Sequence, residues 1–173
     1  IVVFGATSCL GGNVPWPNLS RAAEGKYDFF CLLGDTVYAD RASTPQEYWG
    51  YWDYVLRRKG MEDVCASTSL VATWDDHEVG NNWSWGQVGV EAKVEMAYQA
   101  FTKAIPLRRG DIGFGIWRKL CWGRALEIFV LDCRGERKGG DYISPEQMAW
   151  LQEELLASEA RFKIILNSVA ITD

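Results

Sequence analysis

The sequence predicts an α/β fold, and two observations support this class. Short apolar runs, each too brief for a helix and bounded by glycine or acidic residues, are typical of buried strands. Longer segments with helix-start signals lie between these runs, so strands and helices alternate along the chain. We expect the strands at about 1–5, 29–34, 69–74, 125–132 and 162–167.

Three segments between the apolar runs have the pattern of a helix. Thr44-Pro45-Gln46-Glu47 combines an N-cap, a first-turn proline and a capping-box glutamate, which predicts a helix through about Arg58. Ser144-Pro145-Glu146-Gln147 has the same features and predicts a helix through about Ser158. A third helix is expected from Val90 to Lys103, where apolar residues recur at helical spacing. Loops are expected at 110–115 and 134–141.

Composition and charge exclude several classes of protein. The 173 residues are 48% hydrophobic and 24% charged, with a mean hydropathy of -0.14, as in a soluble domain with one substantial core. A net charge of -5 and a pI near 5.0 argue against a nucleic-acid-binding surface, because phosphate backbones are held by clustered Lys and Arg. No apolar run approaches the roughly 20 residues of a membrane span, so membrane insertion is not expected.

Both ends of the sequence predict that the chain is part of a longer protein. The first residue already lies in a strand-like run, and the last such run is followed by only a few residues before Asp173. We therefore expect one domain or part of one. Because N-terminal sequence is expected to be missing, the lack of a signal peptide says nothing about the compartment.

The cysteines predict neither disulfides nor a structural zinc site. They are five in number, without C-x-x-C spacing. Cys31 and Cys133 lie in or beside apolar strands and are expected to be buried. Cys9 follows a strand in a polar turn, and it is the thiol that we consider as a metal ligand. The five positions are Cys9, Cys31, Cys65, Cys121 and Cys133.

Candidate ligands follow the first three predicted strands. In open α/β sheets, residues just beyond the carboxyl ends of separate strands converge on one crevice. Asp75-Asp76-His77 is the most informative stretch, because it combines two adjacent carboxylates with the only histidine of the chain. The residues expected to converge are Cys9, Asp35, Tyr38, Asp75, Asp76, His77 and Asn167.

This donor set is compatible with two kinds of metal. Carboxylate and amide oxygens suit calcium, magnesium or manganese, whereas a thiolate with a phenolate favours a transition metal such as ferric iron. Structural roles remain open: Asp35 as a turn residue, Tyr38 as a half-buried aromatic, Cys9 as an inert thiol and His77 as a loop hydrogen-bonding residue. The adjacent acids repel each other unless a cation or donor lies between them.

Taken in order, these motifs resemble the PhoD-like alkaline phosphatase family, a branch of the calcineurin-like metallophosphoesterases. The resemblance extends over essentially the whole chain, and the order of the motifs makes it specific. The matching stretches are Ser8-Cys9, Leu33 to Tyr38, Thr73 to Glu78, Asn81-Asn82-Trp83, Leu131 to Arg134, Ser144 to Leu151 and Lys163 to Asn167.

The resemblance implies a β-sandwich flanked by helices, a four-layer αββα arrangement that is incomplete in this chain. Residues 1–173 would then form the N-terminal part of a single metallophosphatase domain. Family members have further ligands, an acid and histidines, downstream of the segment that matches 163–167. Because His77 is the only histidine here, we expect residues 1–173 alone to bind metal weakly and to turn over substrate poorly.

The resemblance also implies an activity and roles for individual residues. The activity is metal-dependent hydrolysis of small-molecule phosphate esters, mono- or diesters, by a metal-activated hydroxide. The cofactors would be Fe3+ and Ca2+, with other divalent cations possible, and an extracytoplasmic location is favoured. His77 would be catalytic, while Asn82 and Arg134 would hold phosphoryl oxygens. The metal ligands would be Cys9, Asp35, Tyr38, Asp75 and Asp76, with the choice between the last two left open.

Four alternatives remain at the level of sequence. The chain could be a catalytically degenerate metal-binding or interaction module of the same fold. A hydrolase with Cys9 as nucleophile and His77 as base is weaker, because it gives the paired acids no role. Asn82 could be a loop-capping amide, and Arg134 a member of a surface ion pair.

Overall fold

The computed structural model describes residues 1–12, 15–107 and 115–170. The predicted loop at 110–115 therefore lies outside the described residues, apart from Gly115. Strands and helices are interspersed along the chain as expected, although one pair of helices and one pair of strands are consecutive. In chain order the elements are β1 (Phe4–Thr7), α1 (Pro17–Ala23), β2 (Phe29–Leu33), α2 (Pro45–Leu56), α3 (Lys59–Ser67), β3 (Ser69–Thr73), α4 (Val90–Ala104), β4 (Arg118–Trp122), β5 (Leu126–Val130), α5 (Pro145–Ala157) and β6 (Phe162–Leu166).

The described strands form two three-stranded sheets. In the first sheet β1, β2 and β3 are parallel and adjacent in chain order. In the second sheet β5 lies in the middle, antiparallel to β4 and parallel to β6. Because the strands of the first sheet are parallel, the residues that follow β1, β2 and β3 meet at one edge, as the strand-end rule predicts.

Alternation along the strands produces four layers. In β2, Phe29 and Cys31 face the second sheet, where they pack with Ile128 and Val130 of β5. The intervening Phe30 and its neighbour at 32 face the helices α1 to α4. The outer face of the second sheet packs against α5. This αββα arrangement confirms the predicted fold class.

Helix starts were predictable where a side chain caps them. Thr44 accepts a hydrogen bond from Glu47 N and completes the capping box of α2, and Ser144 accepts from Gln147 N at the start of α5. Helices α1 and α3 were missed because neither has a side-chain cap. They pack against each other, and a Cβ at Gly60 would lie 2.4 Å from the carbonyl oxygen of Trp16.

Strand β4 was also missed, and its sequence explains why. Arg118-Lys119-Leu120-Cys121-Trp122 begins with two cations and forms no apolar run. The strand exists because it pairs with β5 over all five residues. Arg118 is buried and donates from Nη2 to the carbonyl of Ala72 on β3, 3.0 Å away. Pairing with β5 therefore makes this segment a strand, and the local sequence pattern does not predict it.

Candidate metal centre

The turn after β2 brings Asp35 towards β3. Gly34 has φ 92°, and a Cβ at that position would lie 2.6 Å from the Cβ of Asp75. Asp35 itself has φ 52°, a left-handed conformation that costs a non-glycine residue about 1–2 kcal/mol. Such strain persists only where the surrounding structure enforces it. The Asp35 carboxylate is thus held in a position that the chain would not adopt locally.

The loop after β1 is joined to the same turn. Cys9 N donates to the carbonyl of Gly34 at 3.2 Å, and Leu10 N donates to the carbonyl of Asp35 at 2.8 Å. Cys9 is also left-handed, with φ 56°, and its Sγ lies 3.6 Å from Asp35 Oδ2. The structure therefore places the exposed Cys9 thiol against the Asp35 carboxylate, as the sequence predicts.

The junction after β3 completes a cluster of ligand-type side chains. Asp35, Asp76 and His77 each offer a ligand atom, and these atoms lie within 4.8 Å of one another. Asp76 is buried, and its Oδ2 accepts a hydrogen bond from Asn82 N at 2.5 Å. Asn82 is exposed at the rim of the cluster and has φ 50°.

Tyr38 forms one wall of this cluster. Its ring stacks on the His77 imidazole with a centroid distance of 4.1 Å and an interplanar angle of 29°. Burial raises the pKa of Tyr38 to about 12, and the negative charge of Asp35 adds to the effect. The Tyr38 phenol therefore belongs to the same negatively charged site.

His77 has a partner that the sequence did not reveal. Its Nδ1 lies 2.7 Å from Asp40 Oδ1. Burial lowers the pKa of His77, but the hydrogen bond to Asp40 and the charges of Asp40, Asp76 and Asp35 outweigh burial, so the pKa is raised. Asp40 follows the Leu33 to Tyr38 motif by two residues, but no local pattern indicates that it reaches a residue 37 positions away.

The two adjacent acids have different surroundings. Arg134 donates from Nε to Asp75 Oδ1 at 2.5 Å, and its Nη2 lies 3.7 Å from Asp76 Oδ1. Arg134 is only 8% exposed, so the ion pair is buried, contrary to the surface pair considered above. Asp75 is thus neutralised by a cation of the chain, while Asp76 faces Asp35 and His77. Asn167, the remaining candidate, donates from Nδ2 to the carbonyl of Val169 at 2.5 Å.

The residues present fit a bound cation. Asp35 is buried, and its Oδ1 has no hydrogen-bond partner within the described part of the chain. Burial and the charge of Asp76 raise the pKa of Asp35, because both disfavour the carboxylate form. A buried carboxylate oxygen without a donor is costly, and a metal ion between the two acids would remove both penalties. The oxygen donors suit a hard cation, and the neighbouring thiol and phenol suit a transition metal.

Comparison with known proteins agrees with this geometry. The PhoD-like phosphatase family matches residues 4–173. Alkaline phosphatase D of Bacillus subtilis (strain 168) is 30% identical over 134 residues, covering 60% of this chain and 23% of that protein. This chain therefore spans about a quarter of the length of that curated relative.

Two solved structures share the fold. The structure of PhoD superposes with a TM-score of 0.74 at 23% identity and covers 95% of this chain and 40% of that one. Purple acid phosphatase PPD1 from yellow lupin (Lupinus luteus) seeds gives a TM-score of 0.65 at 12% identity, covering 95% of this chain and 29% of that one. Fold, motif order and the family match over residues 4–173 lead to one conclusion: this chain belongs to the PhoD-like phosphatase family.

Proposed function

We propose that the cluster around Asp35 is part of a metal-dependent phosphoesterase site that hydrolyses small-molecule phosphate esters. The observation that carries the proposal is the approach of Asp35, Asp76 and His77 within 4.8 Å, with a buried Asp35 oxygen that has no donor in the described ranges. The names of the relatives, an alkaline phosphatase and a purple acid phosphatase, support phosphate esters as the substrate class.

Five side chains are the candidate ligands. Cys9, Tyr38 and Asp35 would hold Fe3+, and Asp35 and Asp76 would hold Ca2+ or another divalent cation. A direct ligand role for Asp75 stays a prediction. Because Asp75 is paired with Arg134, Asp76 is the better candidate for the metal ligand. When bound, such cations neutralise phosphoryl charge and lower the pKa of a coordinated water.

His77 is the candidate proton donor. Because Nδ1 is engaged by Asp40, Nε2 is the ring nitrogen left for the substrate. The Asp40 carboxylate fixes the orientation of the ring and favours its protonated form, in agreement with the raised pKa. A protonated His77 can donate to the leaving alkoxide, which otherwise departs as an unstable anion. Asp40 would act through His77 and not on the substrate.

Asn82 and Arg134 are the candidates for contact with phosphoryl oxygens. The main chain of Asn82 is fixed on Asp76, and its exposed side chain lies at the rim of the cluster. Arg134 matches phosphoryl geometry in principle, but the contacts of its guanidinium described above go to Asp75 and Asp76. A role in orienting these acids fits its burial, and phosphoryl contact stays a prediction.

Turnover and metal content test the proposal together. We expect the full-length protein to hydrolyse a chromogenic phosphate ester, to lose this activity with a chelator, and to regain it when Fe3+ and Ca2+ are restored. Elemental analysis of the same sample identifies the metals. Bound metal without turnover under all conditions would instead favour the catalytically degenerate module, and turnover that survives complete removal of metal would refute the proposal.

Iron can be tested separately through Tyr38. A phenolate bound to Fe3+ absorbs visible light by charge transfer, so the iron-loaded protein should be coloured. The replacement Tyr38→Phe should abolish the band, whereas Tyr51→Phe, a matched change on α2, should leave it. A colourless iron-loaded protein would contradict Tyr38 as a ligand.

The proposal does not depend on the compartment. Within the ranges that the structure describes, none of the helices combines the length and apolar character needed to cross a bilayer. The extracytoplasmic location implied by the resemblance stays a prediction.

A further inference from the structure

Glu78 is a buried carboxylate bonded to main-chain amides. It is 1% exposed. Its Oε1 accepts a hydrogen bond from Thr36 N at 2.6 Å, with Val37 N at 3.5 Å, and its Oε2 accepts from Asp35 N at 3.1 Å and from Asp75 N at 2.9 Å. Each carboxylate oxygen therefore faces two N–H groups.

These amides belong to two different strand ends. Asp35, Thr36 and Val37 follow β2, whereas Asp75 follows β3, about 40 residues later. Successive N–H groups point to one side where a residue adopts the left-handed conformation, and such a nest binds an anion. Asp35, with φ 52°, produces this nest, and Glu78 occupies it. One side chain thus joins the main chain beneath Asp35 to the main chain next to Asp76.

We propose that Glu78 is a positioning residue that sets the separation of Asp35 and Asp76 before any cation binds. This inference rests on the proposed function. Without a cation, the two carboxylates repel each other and favour a wider separation of their loops. Glu78 accepts three of these hydrogen bonds at 3.1 Å or less, and together they join the main chain of the two loops. They oppose that repulsion and the strain at Asp35.

The replacement Glu78→Gln tests this role with little change in volume. Glutamine supplies one oxygen and one NH2 group. The NH2 group would face two N–H donors, and it cannot accept a hydrogen bond from either of them. We expect the dissociation constant for Mn2+, measured by titration calorimetry, to rise about 10- to 100-fold, the usual range for residues that orient metal ligands.

Glu47→Gln is the matched control. The Glu47 carboxylate also accepts main-chain N–H groups, from Ser43 at 2.7 Å and Thr44 at 3.1 Å, but it caps α2. This control should lower the melting temperature slightly and leave the Mn2+ affinity unchanged. A Glu78→Gln protein that melts earlier but binds Mn2+ as the wild type does would overturn the proposal, because the residue would then serve stability alone.

Amide hydrogen exchange provides a test that needs no variant. In the metal-free wild-type protein, NMR should show the N–H groups of Asp35, Thr36 and Asp75 protected before Mn2+ is added. If they exchange freely until Mn2+ binds, the cation and not Glu78 organises the loops, and the inference fails. Because this measurement uses the wild-type protein, it tests the positioning role of Glu78 even if the Glu78→Gln variant does not fold.

The same measurement separates the inference from the proposed function. A full-length wild-type protein that binds none of Mn2+, Fe3+ and Ca2+ would refute the metal-dependent function. Protected amides in that protein, with protection lost in Glu78→Gln, would still show that Glu78 fixes the two loops.

Discussion

Asp35 and Asp132 are both buried aspartates at the end of a strand, yet their surroundings are opposite. Asp132 follows β5 and is 1% exposed. Its Oδ1 accepts hydrogen bonds from Trp74 Nε1 at 2.8 Å, Arg134 N at 3.1 Å and Gly135 N at 2.7 Å. Asp35 has Oδ1 without a donor in the described ranges, its Oδ2 faces the weak thiol donor of Cys9 at 3.6 Å, and burial together with the nearby Asp76 carboxylate raises its pKa.

The main chain around Asp132 is equally well satisfied. Gln147 of α5 accepts from Asp132 N at 2.9 Å and donates to the carbonyl of Asp132 at 3.0 Å. The same Nε2 group donates to Glu136, which also accepts from Trp117. A buried carboxylate that accepts several hydrogen bonds joins the elements around it, whereas a buried carboxylate with one oxygen that lacks a donor gains more from a bound cation. The two acids should therefore respond in opposite ways to replacement.

The largest effect is expected at Asp35. Asp35→Asn removes the charge shared by both proposed metal sites, so it should abolish phosphate ester hydrolysis and weaken Mn2+ binding by more than the roughly 100-fold of an orienting residue. The free energy of unfolding of the metal-free protein should be unchanged or higher, because the repulsion with Asp76 is lost. Denaturant unfolding and titration calorimetry measure the two quantities.

Asp53→Asn is the control for this change, since Asp53 lies in an exposed pair with Arg57 on α2. Retained hydrolysis in Asp35→Asn would remove Asp35 from the centre. A loss of folding without metal would equally break the contrast with Asp132.

Asp132→Ala should show the reverse pattern. The change leaves three buried N–H donors without their acceptor, and we expect a loss of about 3–5 kcal/mol in the free energy of unfolding. The Mn2+ affinity of the folded protein should change less than 10-fold, because none of the proposed ligands bonds to Asp132. A variant as stable as the wild type, measured by denaturant unfolding, would contradict a stabilising role.

A smaller effect is expected from pH. Burial raises the pKa of Asp132 to about 6, above its value in the unfolded chain. The unfolded state releases this proton first, so the free energy of unfolding should fall as pH rises from about 4 to 6, by on the order of 2–3 kcal/mol from this group. Burial raises the pKa of Asp35 and Asp75 as well, so these two groups also lower the free energy of unfolding as pH rises.

Unfolding in a chelator at several pH values measures this fall. The difference in the free energy of unfolding between the wild type and Asp132→Asn should change over the same pH interval, because only the wild type has the Asp132 carboxyl group that titrates there. A constant difference would mean that Asp132 does not bind its proton more tightly in the folded state.

The sequence predicted the elements whose signals are local. Capped helices such as α2 and α5 and the strands with apolar runs were found because their first residues or apolar runs define them, although β1 and β6 proved largely exposed and not buried as predicted. Helices α1 and α3 and strand β4 have no such signal, since packing between α1 and α3 and pairing with β5 create them. Cys9, Asp35 and His77 lie together, as expected from parallel strands that bring their carboxyl ends to one edge, while their roles stay a prediction.

The sequence by itself thus determined the fold class, the family resemblance and the set of side chains that meet at the strand ends. Only the tertiary structure decided what each one touches: Arg134 pairs with Asp75, Asp40 holds His77, and Glu78 joins two loops. The physical reason is that residue type and position after a strand fix which edge a side chain reaches. Hydrogen-bond partners tens of residues away depend on distances of a few ångströms, which no local pattern encodes.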